Sequence, residues 1–309
     1  MKRIATLTMN PSIDRSTTVD RVVAEDKLRC SPPRRDPGGG GLNVSRALQN
    51  LGGTSVAVYA AGGPTGEILR MLLGDSGIDH QPVPIQKWTR ENIHVEELAT
   101  GLQYRFGMPG PAMSDDEWQR CLEAVTALDP APDYLVASGS LPPSVPDDFY
   151  ADLARRARDR GTRVVLDTSG AALIRAVEAG VYAIKPNMRE LAALAGEPVD
   201  REDQQEEVCR KLIERGCCEV VIASFGANGV LMVTADRSRR VRAPVVPIRS
   251  KVGAGDSTVA GFVLGLARGL DVAEAVLLGV AAGTAAVMNP GTSLCRREDA
   301  EALFARMER

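Results

Sequence analysis

Apolar runs of about four to six residues alternate with helix-length amphipathic stretches along most of the chain, and no other feature constrains the fold as strongly. A strand that is apolar throughout must be covered on both faces, so the pattern calls for a sheet flanked by helices. It predicts strands at Ile4–Met9, Ser55–Ala60, Tyr134–Ala137, Arg163–Leu166, Tyr182–Ile184 and Val220–Ala223. Helices are expected at Asn43–Leu51, Gly66–Ser76, Asp115–Leu128, Asp147–Asp159, Met188–Ala195, Glu202–Arg215, Gly255–Arg268, Val272–Met288 and Arg296–Met307. Two regions, Ser16–Arg35 and Asn92–Met108, interleave polar and apolar residues as half-exposed antiparallel strands do, and are expected to pair as a small separate sheet. No long linker, low-complexity tract or internal repeat divides the 309 residues, so one α/β domain with a small β appendage is the simplest partition.

Charge and rare residues narrow the function. With 37 Lys and Arg against 40 Asp and Glu, the net charge of -3 provides no broad positive field for nucleic acid, so any anion site must be local. Only two histidines occur, His80 and His94, too few for a His-rich metal site or a His-based triad. Six scattered cysteines form no CxxC pair and no disulfide framework, which suits a reduced, cytoplasmic protein. The N-terminal stretch ends in Asn10-Pro11 rather than building a signal-peptide core. Ala275–Met288, the most apolar segment, falls short of the roughly 20 residues a bilayer demands and reads as a buried helix.

Three motifs carry chemistry. Pro37-Gly38-Gly39-Gly40-Gly41-Leu42-Asn43-Val44 precedes a helix pattern, and four glycines let a backbone pass close to a ligand, the alternative being a flexible turn. The run matches neither GxGxxG nor a Walker A loop. Ser250-Lys251-Val252-Gly253-Ala254-Gly255-Asp256-Ser257-Thr258 opens another helix, where small residues expose N–H groups as an anion hole. Asp256 in that turn is placed either to take a proton from an attacking hydroxyl or simply to cap the helix. In Lys185-Pro186-Asn187-Met188-Arg189-Glu190, Asn187 and Glu190 share a helical face and could reach one hydrated Mg2+ or a phosphate oxygen; helix capping explains the same spacing. A serine hydrolase is set aside because Gly255-Asp256-Ser257 and Ser138-Gly139-Ser140 are not GxSxG and no histidine follows either.

The ordered blocks GGGGLN, KPNMRE and GAGD resemble the ribokinase family of sugar kinases over nearly the whole chain. Thr6-Leu7-Thr8, Pro11-Ser12-Ile13-Asp14, Lys27-Leu28-Arg29-Cys30, Ser138-Gly139-Ser140-Leu141-Pro142-Pro143 and Asn289–Thr292 are similar to its phosphofructokinase branch, in particular the minor-type bacterial 6-phosphofructokinases. Gly40 stands where fructose-1-phosphate and tagatose-6-phosphate kinases, the alternative within the class, usually carry Lys. A non-catalytic sugar or nucleotide sensor on the same fold is the remote alternative, opposed by the presence of both Asp256 and Glu190.

The resemblance implies a doubly wound α/β domain over residues 1–309, with a β lid from about residues 15–36 and 89–108 that clasps a second lid to form a homodimer. It implies transfer of the γ-phosphoryl group of MgATP to the C1 hydroxyl of fructose 6-phosphate, a glycolytic step, with Asp256 as base and the amides of Gly253, Ala254 and Gly255 as anion hole. It assigns the sugar phosphate to Asp14, Gly39, Gly40, Asn43, Arg90 and Ser138, with Lys27 and Arg29 on the lid nearby. Lys185, Asn187, Ser224, Gly226 and Gly229 fall to the nucleotide phosphates and ribose, Val252, Val280, Gly283 and Thr284 to the adenine, and Glu190 to Mg2+. K+ falls to Ser250, Val252, Ala286, Asn289, Gly291 and Ser293, although Ser250-Lys251 replaces the family's usual Asp-Thr.

Overall fold

The computed structural model describes residues 1–307. The strands are β1 (Ile4–Thr8), β2 (Ser12–Val19), β3 (Arg34–Gly38), β4 (Val56–Ala61), β5 (Asp79–Pro84), β6 (Arg90–Glu97), β7 (Gln103–Phe106), β8 (Tyr134–Ser138), β9 (Arg163–Asp167), β10 (Val181–Ile184), β11 (Cys218–Ser224), β12 (Val230–Val233) and β13 (Ser238–Val241). The helices are α1 (Gly40–Asn50), α2 (Gly63–Asp75), α3 (Asp115–Thr126), α4 (Phe149–Asp159), α5 (Gly170–Ala179), α6 (Met188–Ala195), α7 (Glu202–Glu214), α8 (Ala254–Ala267), α9 (Val272–Val287) and α10 (Arg297–Arg306). A nine-stranded sheet has the order β13-β12-β11-β10-β9-β8-β1-β4-β5, parallel except where β12 and β13 close it as an antiparallel hairpin. Every residue of β1, β8 and β10 is buried, as strands covered on both faces must be.

One face of the sheet packs on a core reaching from Cys121 in α3 through Leu153 in α4 and Leu173 in α5 to Leu212 in α7. The other packs on α1, α8, α9 and α10 through Val44, Phe262, Val280 and Leu303. The segment read as a buried helix is α9, which lies against α8 with almost no gap. A Cβ on Gly261 would stand 2.6 Å from Leu278 O, and one on Gly279 would stand 2.7 Å from Thr258 O. Among the described residues, no helix is long and apolar enough to cross a membrane.

The small sheet is present, in the order β3-β2-β6-β7, but the expectation of purely antiparallel pairing is corrected: β2 runs parallel to β6 in register from Ser12↔Arg90 to Val19↔Glu97. The reason is directional. β2 leaves the carboxyl end of β1 and β6 follows β5, and these two strands of the large sheet point the same way. Residues 20–33 between β2 and β3 form no strand, so the small sheet starts earlier, at Ser12 and Arg90, and is shorter in the middle than the polarity pattern suggested. β5, α5 and the β12–β13 hairpin were not predicted. β5 is a partly exposed edge containing Pro82 and Pro84, so it lacks the apolar run that marks an interior strand.

Candidate active site

From β1 the sheet continues outward through β4 and β5 on one side and through β8 to β11 on the other, so its topological switch lies between β1 and β8. In open α/β sheets the crevice outside the carboxyl ends of the strands at that point is where ligands bind. The glycine run, the start of α8, Lys185 and the root of the small sheet all meet there.

The glycine run is not a flexible turn. It bridges β3 and α1, and the chain itself crowds each position: a Cβ on Gly38 would lie 2.5 Å from the Asp14 carboxylate, one on Gly40 2.2 Å from Ser138 Oγ, and one on Gly41 2.5 Å from Leu7 O. Gly39 adopts φ 110°, a region open mainly to glycine. Glycine density therefore follows from close approach of α1 to β1 and β8, which seats Asn43 in the first turn of α1 at the switch point.

Asp256 occupies the first turn of α8, whose N-cap Gly253 is left-handed at φ 73°. Ser257 N is bonded to Gly253 O at 2.8 Å, while the N–H groups of Ala254, Gly255 and Asp256 precede the intrahelical ladder. No cap bond from the Asp256 side chain is present; its Oδ2 instead accepts from Asn43 Nδ2 at 2.9 Å. Asn43 is itself oriented, because its Oδ1 accepts from the Arg46 guanidinium at 3.1 Å. Burial, reinforced by the nearby Asp167 charge, pushes the Asp256 carboxyl up to about 6, against the opposing pull of Asn43 and Lys185. A half-buried carboxylate poised near neutrality beside free helix amides is suited to general-base work on a hydroxyl next to an anion.

Lys185 follows β10, is 8% exposed and pairs with Asp167 Oδ1 at 3.1 Å. Its Nζ lies 3.4 Å from where a Cβ on Gly255 would stand, so the ammonium adjoins the α8 amides. Burial works against that charge, but Asp167, Asp256 and Glu190 more than offset it and hold the lysine above its ordinary value. Asn187 and Glu190 form a reciprocal capping box on α6: Asn187 Oδ1 accepts from Arg189 N and Glu190 N at 2.9 and 3.1 Å, and Glu190 Oε2 accepts from Asn187 N at 2.8 Å. Capping thus accounts for the spacing, while Glu190 Oε1 remains outside the box. Burial raises the Glu190 carboxyl, and Asp167 adds to the shift. Among the described residues no three His, Cys, Asp or Glu side chains cluster to hold a metal. One carboxylate oxygen facing a phosphate site still fits Mg2+, which keeps most of its waters and takes phosphate oxygens.

The root of the small sheet supplies Asp14, on β2, and Arg90, at the start of β6. Asp14 Oδ1 accepts from Ser12 Oγ at 2.7 Å and Asn92 Nδ2 at 2.9 Å. The Arg90 guanidinium donates to Met108 O at 2.9 Å and Asn10 O at 3.0 Å, and burial lowers its pKa. Among the described residues no carboxylate is paired with Arg90, and its buried Nε has no partner. Ser138 ends β8 and is 1% exposed. Lys27 and Arg29 do not join this cluster; they are exposed on the irregular segment between β2 and β3.

Ser224 ends β11, with Gly226 and Gly229 in the turn that follows it. Val280 and Gly283 lie on α9 where it packs against α8; a Cβ on Gly283 would lie 2.1 Å from Thr258 Oγ1. Thr284, 7% exposed, adjoins them, and Val252 precedes α8. The proposed K+ positions converge on the loop after α9. Ser250 Oγ donates to Gly291 O at 2.7 Å, and Asn289 Nδ2 donates to Ala285 O and Leu294 O, leaving Asn289 Oδ1 free. Ala286 is buried, and Ser293 Oγ accepts from Arg34 at 3.3 Å. The donor set is neutral oxygen, which fits a monovalent cation without requiring one.

Sequence reasoning missed three residues. Asp167 holds Lys185; its signal is position, a carboxylate at the last residue of a central parallel strand. Asp36, 6% exposed, accepts from Thr292 Oγ1 at 2.7 Å and pairs with Arg46 at 3.3 Å. Arg46 in turn fixes Asn43, so Asp256, the glycine run and the loop after α9 form one hydrogen-bonded chain.

The pattern of the pfkB family carbohydrate kinases matches residues 7–299. ATP-dependent 6-phosphofructokinase isozyme 2 of Mycobacterium tuberculosis is 43% identical over 302 residues, covering 98% of this chain and 89% of that protein. Its Escherichia coli counterpart is 41% identical over 310 residues, covering 100% of both. Crystal structures of the Escherichia coli phosphofructokinase-2 superpose with a TM-score of 0.95 in complex with potassium, at 41% identity and 99% coverage of both chains. In complex with fructose-6-phosphate the TM-score is 0.94, at 40% identity and 100% coverage of both. With its α/β architecture, small sheet and switch-point cluster, this chain belongs to the pfkB family of carbohydrate kinases.

Proposed function

We propose that this chain is an ATP-dependent 6-phosphofructokinase that transfers the γ-phosphoryl group of ATP to the C1 hydroxyl of fructose 6-phosphate. The observation that carries the reading is the Asp256 carboxylate, pushed up to about 6, beside the free amides of α8 and the Lys185 ammonium. Full-length similarity to relatives named for this activity supports it.

On this reading Asp256 takes the proton of the C1 hydroxyl as the oxygen attacks phosphorus, and the N–H groups at Gly253, Ala254 and Gly255 stabilise the charge on the moving phosphoryl. Lys185 neutralises phosphate oxygens, held in place by Asp167. Arg90 is the cation without a carboxylate partner, so the 6-phosphate is its natural counter-charge. Asp14, Asn43, Gly39, Gly40 and Ser138 surround the sugar. Ser224, Gly226 and Gly229 flank the nucleotide, with Asn187, Thr284 and Val252 near it. Glu190 would hold Mg2+ through Oε1, and the ion when bound neutralises charge on the phosphates. Ser250, Val252, Ala286, Asn289, Gly291 and Ser293 would surround K+.

Lys27 and Arg29, exposed in one protomer, would serve substrate from the lid when two copies clasp. Ile93 and Phe106 pair across β6 and β7 and are 38% and 51% exposed, an apolar face that a second small sheet would cover.

The test is a coupled ADP-release assay with MgATP and fructose 6-phosphate, fructose 1-phosphate or tagatose 6-phosphate, with and without K+. The highest kcat/KM is expected on fructose 6-phosphate. A preference for fructose 1-phosphate, or no turnover on any of the three, overturns the reading. Light scattering at micromolar concentration, expected to give twice 32.9 kDa, tests the clasp.

A further inference from the structure

Two buried nitrogens stand without partners beside the sugar site. His94 Nδ1 and Nε2, on β6, make no hydrogen bond among the described residues. Buried polar atoms are almost always satisfied, and leaving one unmatched costs about 1 to 3 kcal/mol, so the unmatched Nε2, which faces Asp14, points to a group that completes it. The nearest acceptor is Asp14 Oδ2, 3.9 Å from His94 Nε2, too far for a direct bond. Asp14 Oδ1 is already fastened by Ser12 and Asn92, which leaves Oδ2 as the end of the carboxylate still able to accept. A single hydroxyl oxygen placed about 2.8 Å from both atoms closes the gap, donating to the carboxylate and accepting from the ring N–H.

The surroundings favour a neutral ring with one N–H. Burial lowers the His94 pKa below its ordinary value, and Arg105, opposite it on β7, acts in the same direction, while Asp14 on β2 opposes them. Arg34 on β3 faces the same recess but is bonded to Asp36, and Glu96 lies two positions along β6. A recess of about 210 Å³ separates the ring from the loop at Gly291 and Thr292 and leaves space beside it, with hydroxyls, two guanidinium groups, the Glu96 carboxylate and apolar side chains on its walls.

We infer that His94 is a substrate-binding residue, donating from its ring to a sugar hydroxyl that Asp14 Oδ2 accepts. This rests on the sugar-phosphate reading of the site. It makes His94 and Asp14 the two jaws of a hydroxyl clamp: the protonated ring nitrogen donates to the hydroxyl oxygen, and the carboxylate, which can only accept, takes the hydroxyl proton.

The experiment uses the whole chain and fructose 6-phosphate without nucleotide. With only two histidines, the ring-proton NMR spectrum contains two resonances to assign, and His94→Gln identifies the relevant one. Saturating fructose 6-phosphate is expected to shift the His94 resonance and leave His80 in place. By calorimetry, His94→Phe should weaken fructose 6-phosphate binding about tenfold or more, His94→Gln, which keeps a donor, should recover most of that loss, and the KM for MgATP should stay within about twofold of the parent. If fructose 6-phosphate binds by calorimetry but His94 does not shift, a water or a purely structural role fills the gap and the inference is overturned. Equal losses for Phe and Gln, or equal effects on both substrates, also overturn it. If the parent protein does not bind fructose 6-phosphate at all, it is the function proposed above that fails.

Discussion

Asn43 Nδ2 donates to Asp256 Oδ2 at 2.9 Å across 213 positions of sequence, and Arg46, bonded to Asn43 Oδ1, holds the amide with its nitrogen toward the carboxylate. A donated bond favours the ionised form of a base that burial otherwise drives toward its protonated form. Removing it in Asn43→Ala should raise the pKa of Asp256 further. A base must be unprotonated, so kcat of the parent should fall as pH drops through about 6, and in Asn43→Ala this acid limb should move to higher pH. The check is kcat from pH 5 to 9 at saturating substrates; an unmoved limb would separate Asn43 from the ionisation of Asp256.

Asp256 should also cost stability. Its folded-state pKa, about 6, lies above the ordinary aspartate value of 3.8, so the folded state binds the extra proton and stability falls as pH rises from about 4 to 6. Above that window the ionised, buried carboxylate is a standing penalty. Asp256→Asn should therefore lose orders of magnitude in kcat while melting several degrees higher than the parent at pH 8 and at nearly the same temperature at pH 4. A melting temperature lowered at pH 8 would mean the carboxylate is stabilised by its surroundings rather than strained by them.

These two predictions show where sequence reasoning reached and where it stopped. The central strands were legible because burial on both faces forces uninterrupted apolar runs, as in β1 and β8. The polar edge β5 was not, because its two prolines and exposed positions leave no apolar run, whereas β12 is a short apolar run, Val230–Val233, that sequence reasoning passed over. At the site, Asp256 and Lys185 were visible in local motifs. Asp167 was not, because a single Asp ending a strand carries no motif; only the sheet brings it to Lys185, 18 positions later in the chain. The choice between capping and metal binding at Asn187 and Glu190 depends on side-chain directions, and the close approach of Gly283 to Thr258 on helix packing, which spacing leaves open.

The Asp167–Lys185 pair is buried, and breaking a buried pair from one side leaves an uncompensated charge. Asp167→Asn should lower stability by about 3 kcal/mol and, by removing the largest favourable charge on Lys185, lower the lysine pKa. It should also relieve the repulsion that raises Asp256, so the acid limb of kcat should move to lower pH, opposite to Asn43→Ala. Chemical denaturation and the same pH profile test both halves. Shifts in the same direction for the two variants would contradict the charge arrangement.

On the proposed function, Arg90 would connect substrate recognition to the seating of the small sheet. Its guanidinium clasps Met108 O and Asn10 O, the points where the chain leaves β7 and β1, and it has no carboxylate of its own. An anion between these elements would neutralise the buried charge, whereas the carbonyls alone leave it partly uncompensated. Arg90→Ala should raise the KM for fructose 6-phosphate about 10- to 100-fold with a much smaller effect on that for ATP, the usual loss for a charged hydrogen bond. Arg90→Lys keeps the charge, but its compact ammonium lacks the wide planar fork needed to reach two carbonyls and a phosphate together, so it should recover only part of the loss. Hydrogen exchange of residues 90–97 should quicken in Arg90→Ala, and fructose 6-phosphate should slow exchange there in the parent far more than in the variant. Comparable KM changes for both substrates would remove Arg90 from the sugar-phosphate side and leave it only the structural clasp.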